Sequence, residues 1–144
     1  MRSDFLNESS GSTFGLKKKV EKIVAARTLT NDDSGKVFLC GSAGGAYEIT
    51  LPTASTGEDG VYYKFIVEEE TPTGDITIAA GSAIISLVQK DAGGDEANST
   101  AGTQVSNVIL DTTAQKGDYV ELMFVGGEYV GSSLSGINNG IQTS

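Results

Sequence analysis

Clusters of acidic side chains are the groups in this sequence whose type and spacing come closest to known reactive chemistry. Glu68, Glu69 and Glu70 are consecutive, and Asp75 lies shortly after them. Glycoside hydrolysis requires two carboxyl groups a few ångströms apart in different environments. Adjacent acids in a polar stretch are usually solvated turn residues, and we interpret this group in that way.

The other residue types that carry out catalysis are scarce. The chain contains no histidine, the side chain that most often acts as a general acid or base near neutral pH and as a zinc ligand. Cys40 is the single cysteine and ends an apolar run, so we predict a small buried residue and no disulfide within one chain. We expect no enzyme, no catalytic residue and no cofactor.

Oxygen ligands for a hard cation are present between Asp91 and Glu96, where Asp95 supplies a third carboxylate. Their spacing does not fit the calcium-binding loop of an EF-hand. We therefore predict no metal site, and a weak surface calcium site stays an open alternative. The three Gly-Gly pairs lie in turns without the sequence context of a phosphate-binding loop.

Charge is divided unevenly along the chain. Residues 1–27 carry a net charge of +3 and the remaining residues −12, for a total of −9. An acidic body repels nucleic acid and anionic lipid. No apolar run approaches the length of a membrane-spanning helix or a signal peptide. We expect neither a nucleic-acid nor a membrane partner, and we expect synthesis in the cytoplasm.

The chain from Ile23 onward alternates apolar and polar residues in short runs separated by Gly, Ser, Asn and Asp. This pattern is typical of strands and turns. It predicts an all-β, single-domain β-sandwich or jelly-roll-like fold of about eight or nine short antiparallel strands. Gly126-Gly127 suits a tight hairpin turn, and the apolar spacing around Lys17–Lys22 suggests one short helix.

Three segments follow from these patterns. Residues 1–22 form an N-terminal arm that includes the short helix, 23–131 form the β-domain, and 132–144 form a C-terminal tail of small residues. The arm and the residues next to it combine apolar and basic side chains, which predicts binding to a neighbouring subunit or another acidic partner. The predicted contact residues are Phe5, Leu6, Phe14, Leu16, Lys17, Lys18, Lys19, Lys22 and Arg27.

Several short blocks in the same order resemble those of small tailed-phage virion proteins known as capsid decoration, cement or stabilisation proteins. The blocks are Arg27-Thr-Leu-Thr, Asp33-Ser-Gly, Ile49-Thr-Leu-Pro, Lys64-Phe-Ile-Val and Lys116-Gly-Asp-Tyr-Val-Glu-Leu. Tyr129 stands in the last strand where the family has tryptophan. The resemblance spans about residues 26–131 and supplies no catalytic residue.

The resemblance implies a structural role on the outer surface of a bacteriophage capsid. The expected partner is the major capsid protein, whose neighbouring subunits the protein would cement, and the expected assembly on the capsid is a homotrimer. Similar β-modules occur in phage tail fibres and spikes, so the alternative is a module that binds a host receptor or another tail protein.

Overall fold

The computed structural model describes residues 17–42, 44–69, 72–91 and 100–144. Within these ranges the backbone forms twelve β-strands and one short 3-10 turn, which confirms the all-β prediction. In chain order the strands are β1 (Val20–Ile23), β2 (Arg27–Thr28), β3 (Val37–Cys40), β4 (Tyr47–Thr50), β5 (Tyr62–Val67), β6 (Ile76–Ala79), β7 (Ile85–Asp91), β8 (Thr100–Val105), β9 (Asn107–Leu110), β10 (Tyr119–Val125), β11 (Glu128–Ser135) and β12 (Ile141–Thr143).

The strands form two sheets that enclose one core. The seven-stranded sheet has the order β1-β3-β5-β10-β11-β7-β8, and the five-stranded sheet has the order β12-β9-β6-β4-β2. The first seven strands alternate between the sheets, so that the chain winds in successive coils with parallel neighbours. The β10–β11 hairpin lies between β5 and β7.

The predicted antiparallel order is wrong, because five of the ten strand pairings in the described ranges are parallel. The predicted strand number was also too low. Alternation along a strand shows which side chains share a face, but it does not show which strand is the neighbour. A polar turn within a hairpin and a polar loop that crosses from one sheet to the other have similar amino-acid compositions. Composition therefore does not show which of the two is present.

The helix predicted around Lys17–Lys22 is also wrong, because Val20–Ile23 forms strand β1. This strand pairs in parallel with β3, from Val20 opposite Val37 to Ile23 opposite Cys40. Pairing buries Ile23 and satisfies the backbone, whereas a helix this short has a costly nucleus. The sheet thus begins inside the segment predicted as an arm.

The residues set apart as a C-terminal tail belong to the sheets. Strand β11 continues to Ser135, and β12 pairs antiparallel with β9. The Asp118 carboxylate accepts hydrogen bonds from the Gly136 N–H and the Ser135 hydroxyl, each at 2.8 Å. Small polar residues gave no strand pattern in the sequence, yet Ser133 and Ser135 are buried here, and the Ser135 hydroxyl donates to the buried Asp118 carboxylate.

Aromatic rings fill the space between the sheets. Phe38 stacks on Phe65 with ring centroids 5.6 Å apart, and Tyr63 lies 6.3 Å from Phe65. The Tyr63 hydroxyl donates a 2.8 Å hydrogen bond to the Thr30 carbonyl, which ties the core to a loop. Cys40 is buried, and burial raises the pKa of its thiol to about 12, as expected for the predicted small core residue.

The predicted hairpin turn is confirmed. Val125 pairs with Glu128, and the two residues between them, Gly126 and Gly127, have φ angles of 64° and 91°. Positive φ at both central positions defines the tight turn whose twist matches that of the flanking strands, and glycine adopts it without strain.

Candidate docking surface

The outer face of the seven-stranded sheet carries large apolar side chains. Alternation and register place them on the same side of β1, β3, β5, β10, β11 and β7, opposite the core. We call this surface the apolar face. Its apolar residues are Val20, Val37, Leu39, Tyr62, Ile66, Val88, Tyr119, Met123, Val125, Val130 and Leu134. The polar residues on the same side are Lys22, Lys64, Ser86, Lys90, Glu121, Glu128 and Ser132.

Several of these side chains are well exposed to solvent. The exposed fraction is 57% for Val20, 54% for Val88, 41% for Met123 and 38% for Leu134. Single exposed apolar residues are ordinary, but several of them on one sheet face mark a candidate site of interaction. The apolar face is therefore the candidate docking surface.

The outer face of the five-stranded sheet is different. We call it the polar face, because its cross-strand row from β4 to β12 consists of Glu48, Thr77, Ile109 and Gln142. The adjoining row runs through Thr50, Ala79 and Asn107 with Thr28 at its edge. Hydroxyl, amide and carboxylate groups make up most of this face, so it has the character of ordinary protein surface.

A shallow depression lies near the centre of the apolar face. It has a volume of about 190 Å³ and is lined by Tyr62, Met123 and Val130 together with Glu121 and Ser132. Gly131 contributes to its floor, where a side chain would clash with the Glu121 carbonyl oxygen. An apolar or aromatic side chain of a partner could contact both the apolar walls and the polar edge of this depression.

The charges nearest this depression are already paired. The Lys64 ammonium lies 2.9 Å from the Glu121 carboxylate and 4.5 Å from the Tyr119 ring centroid. The hydrogen bond with Glu121 raises the pKa of Lys64. Because neither charge is free, recognition at the centre of the face depends mainly on shape and apolar contact.

The predicted contact residues fall into four groups, of which Arg27 forms the last. Phe5, Leu6, Phe14 and Leu16 lie outside the described residues. The side chains of Lys17, Lys18 and Lys19 are exposed where the chain approaches β1. Lys22 lies on the outer side of β1, and its ammonium is 2.7 Å from the Glu68 carboxylate.

Arg27 belongs to an ion-pair network between the two sheets. Its guanidinium contacts the Glu21 and Asp33 carboxylates, and Lys36 contacts the same two acids. It also lies 5.5 Å from the Phe38 ring centroid. These contacts connect β2 of one sheet with β1 and β3 of the other, so the structure gives Arg27 an internal role.

The network changes the acidity of its members. Burial alone would raise the pKa of Asp33, but hydrogen bonds from Lys36 and the Thr30 backbone outweigh it, so the pKa falls below its ordinary value. Hydrogen bonds from Arg27 and Lys36 lower the pKa of Glu21. Both acids are thus held as carboxylates that stabilise the junction of the sheets.

Three of the acidic groups considered for chemistry make structural contacts in the described ranges. Glu68 pairs with Lys22, and Glu69 accepts a hydrogen bond from the Ser42 N–H. Asp91 is buried and accepts a 3.2 Å hydrogen bond from the Asn139 N–H. Glu70, Asp95 and Glu96 lie outside the described residues.

The described part of the chain brings together no group of three His, Cys, Asp or Glu side chains able to hold a metal ion. Over the same ranges, no helix has the length and apolarity needed to cross a membrane.

The apolar face was not predicted, although the sequence contains a signal for it. Strand β5 places Tyr63, Phe65 and Val67 in the core, while Tyr62 and Ile66 lie on its other side. A strand with large apolar residues on both sides requires cover on both sides. The outward residues of β10 show the same feature.

Comparisons of this chain with protein-family models, with curated proteins and with solved structures find no match. The arrangement of its surfaces therefore provides the basis for a functional proposal.

Proposed function

We propose that this chain is a structural virion protein that binds the outer surface of a bacteriophage capsid and stabilises neighbouring major capsid protein subunits. The main supporting observation is the apolar face, with side chains as exposed as those of Val20, Val88 and Met123. A two-sheet body with one apolar face can attach to equivalent sites on a repetitive surface. The polar face would then remain in contact with solvent.

The proposed mechanism is mass action. A protein that binds only the assembled shell stabilises that shell by its binding free energy, and each bound copy adds its share. This function needs no catalytic group. Glu68, Asp33 and Asp118 serve as structural acids, paired with lysines or with a backbone donor.

We propose a homotrimer as the bound form, with the N-terminal segment helping to hold a neighbour. Residues 20–144, which contain all the described strands, carry a net charge of −11 and repel their own copies, so assembly requires apolar burial or a basic segment to offset the repulsion. The exposed Lys17, Lys18 and Lys19 supply such a segment. Closed symmetry would also protect free strand edges.

One observation favours the alternative of a tail-fibre or spike module. The parallel coils begin with β1 and β2, which are edge strands of the two sheets. An open coil end can stack on a preceding module, as in repeat proteins. A fibre role would place few copies on each particle and would direct the apolar face toward a receptor or another tail protein.

Copy number separates the two roles. We expect quantitative mass spectrometry of purified particles to find this protein in amounts comparable to the major capsid protein. A few copies per particle would support the fibre role, and absence from particles would refute both. Purified protein should also bind shells that lack it and raise the temperature at which those shells disassemble.

A further inference from the structure

We propose that residues 1–16 of a second copy of this chain cover the apolar face. The significance of this contact on a particle rests on the proposed function, but the contact itself would be a property of the isolated protein. The proposed function says only that copies of the protein are joined. The contact proposed here identifies the two surfaces that join them.

The apolar face needs a cover. Its exposed valine, methionine and leucine side chains belong to four different strands, namely β1, β7, β10 and β11. Exposed apolar side chains grouped on one sheet face favour an interaction that removes them from water. The two central strands, β10 and β11, also line the depression.

The N-terminal segment has the composition and length to provide this cover. It contains Phe5, Leu6, Phe14 and Leu16 among polar residues, too few apolar residues for a core of its own. Sixteen extended residues reach about 53 Å at about 3.3 Å per residue. Seven strands spaced about 4.8 Å apart span about 29 Å, so one segment can cross the whole face.

The direction in which the chain leaves the sheet favours a neighbour over the same molecule. The Lys19 carbonyl accepts a 2.9 Å hydrogen bond from the Val37 N–H, so the chain is still aligned with β3 at that point. The exposed Lys17, Lys18 and Lys19 repel one another, which favours an extended course. An extended course continues past the end of β1, away from the face beside it.

Charge supports the same arrangement. The lysines would lie between two bodies whose strand-forming residues 20–144 each carry a net charge of −11, whereas residues 1–16 themselves carry −1. Placing positive charge between two acidic bodies lowers their repulsion. If each copy gives its segment to the next, the contacts can close into a ring without leaving an apolar face uncovered.

Oligomeric state provides the first test. The full-length protein should behave as an oligomer in light scattering coupled to size exclusion. The double variants Phe5→Ser/Phe14→Ser and Met123→Glu/Leu134→Glu should each raise the dissociation constant about tenfold or more. The control Ile109→Glu replaces an apolar residue on the polar face and should leave the dissociation constant unchanged. Circular dichroism would verify that each variant is folded.

Cross-linking provides the second test. Chains carrying Phe5→Cys are mixed with chains carrying Ser132→Cys, and a bifunctional maleimide is added. We expect a product of twice the chain mass. Cys40 stays unreactive because it is buried, and Ser132 borders the depression. Thr77→Cys in place of Ser132→Cys moves the thiol to the polar face and should give little product.

Three results would each overturn the proposal. The first is a full-length protein that stays monomeric at every concentration tested. The second is equal cross-linking to Ser132→Cys and Thr77→Cys. The third is cross-linking confined to single chains that carry both Phe5→Cys and Ser132→Cys, which would show that the segment covers its own face. If the protein forms the oligomer but is absent from particles, the capsid role fails while the contact stands.

Discussion

The two sheets have similar inner faces and different outer faces. Inward residues are large and apolar in both, with Phe38 and Phe65 in the seven-stranded sheet and Ile49 and Ile78 in the five-stranded sheet. Outward residues are mainly apolar on the first sheet and mainly polar on the second. The core would be complete without the outward apolar residues.

This difference separates what folding requires from what binding requires. Inward residues gain their stabilisation when the two sheets pack, because packing removes apolar area from water. Exposed Met123 and Leu134 gain little from folding, since much of their surface remains in water. These side chains contribute stabilising free energy only when a binding partner covers them. Substitutions on inner and outer faces should therefore change different quantities.

The largest losses of stability are expected from the inner faces. Phe65→Ala should lower the free energy of unfolding by about 3–5 kcal/mol, and Ile78→Ala by about 2–5 kcal/mol, because each leaves a cavity in a close-packed core. Both residues are fully buried. Chemical denaturation would measure the losses. A loss of unfolding free energy below about 1 kcal/mol at either position would contradict the conclusion that both sheets contribute equally to the core.

A smaller loss is expected at the carboxylate that holds the C-terminal strands. Asp118 is buried and accepts hydrogen bonds from the Gln115 and Gly136 N–H groups at 3.0 and 2.8 Å. Asp118→Ala leaves these donors without their charged acceptor and should cost about 2–3 kcal/mol. Asp59→Ala is the matched control, because its exposed carboxylate accepts a hydrogen bond from Gly126 N–H at 2.8 Å.

Asp59→Ala should cost less than about 1 kcal/mol, since water can replace an exposed acceptor. Equal losses for the two variants, again from denaturation curves, would show that burial of the Asp118 carboxylate has no special effect.

Acid should weaken the junction between the sheets. The folded-state pKa of Asp33 lies below its ordinary value of 3.8. Its stabilisation is therefore fully present above pH 3.8 and is lost as the pH falls through the lower, folded-state pKa. Unfolding free energies measured across this range should decline less steeply for Asp33→Asn than for the wild type. The difference should be below about 1 kcal/mol, because the network is partly solvated. Identical pH dependence in the wild type and the variant would show that Asp33 does not contribute to the loss of stability in acid.

The sequence predicted the elements better than their arrangement. Alternation in Tyr62–Val67 identified a strand and its inward residues, and Gly126-Gly127 identified a turn. Both signals are local. Parallel pairing of β1 with β3 passes over β2, which belongs to the other sheet, and no short pattern encodes such a partner. The helix prediction at Lys17–Lys22 failed for this reason.

Only part of the candidate docking surface could be predicted from the sequence. A basic run next to apolar residues marked the N-terminal region, but Arg27 carries the same charge and serves an internal network. Burial and partners decide between these roles, and both depend on the assembled sheets. The outward position of Met123 beside Val130 likewise becomes visible only once β10 and β11 are in register.

The smallest change in intrinsic stability is expected from the outer faces. Met123→Ser and Ile109→Ser lie on the apolar and the polar face respectively, and at low protein concentration each should stay within about 0.5 kcal/mol of the wild type. Their dependence on concentration should differ. If copies cover one another's apolar face, the wild-type melting temperature rises with concentration, because association stabilises the folded state. Met123→Ser should weaken that rise and Ile109→Ser should preserve it. Scanning calorimetry over a dilution series would measure both, and equal behaviour of the two variants would mean that the faces differ in composition but not in function.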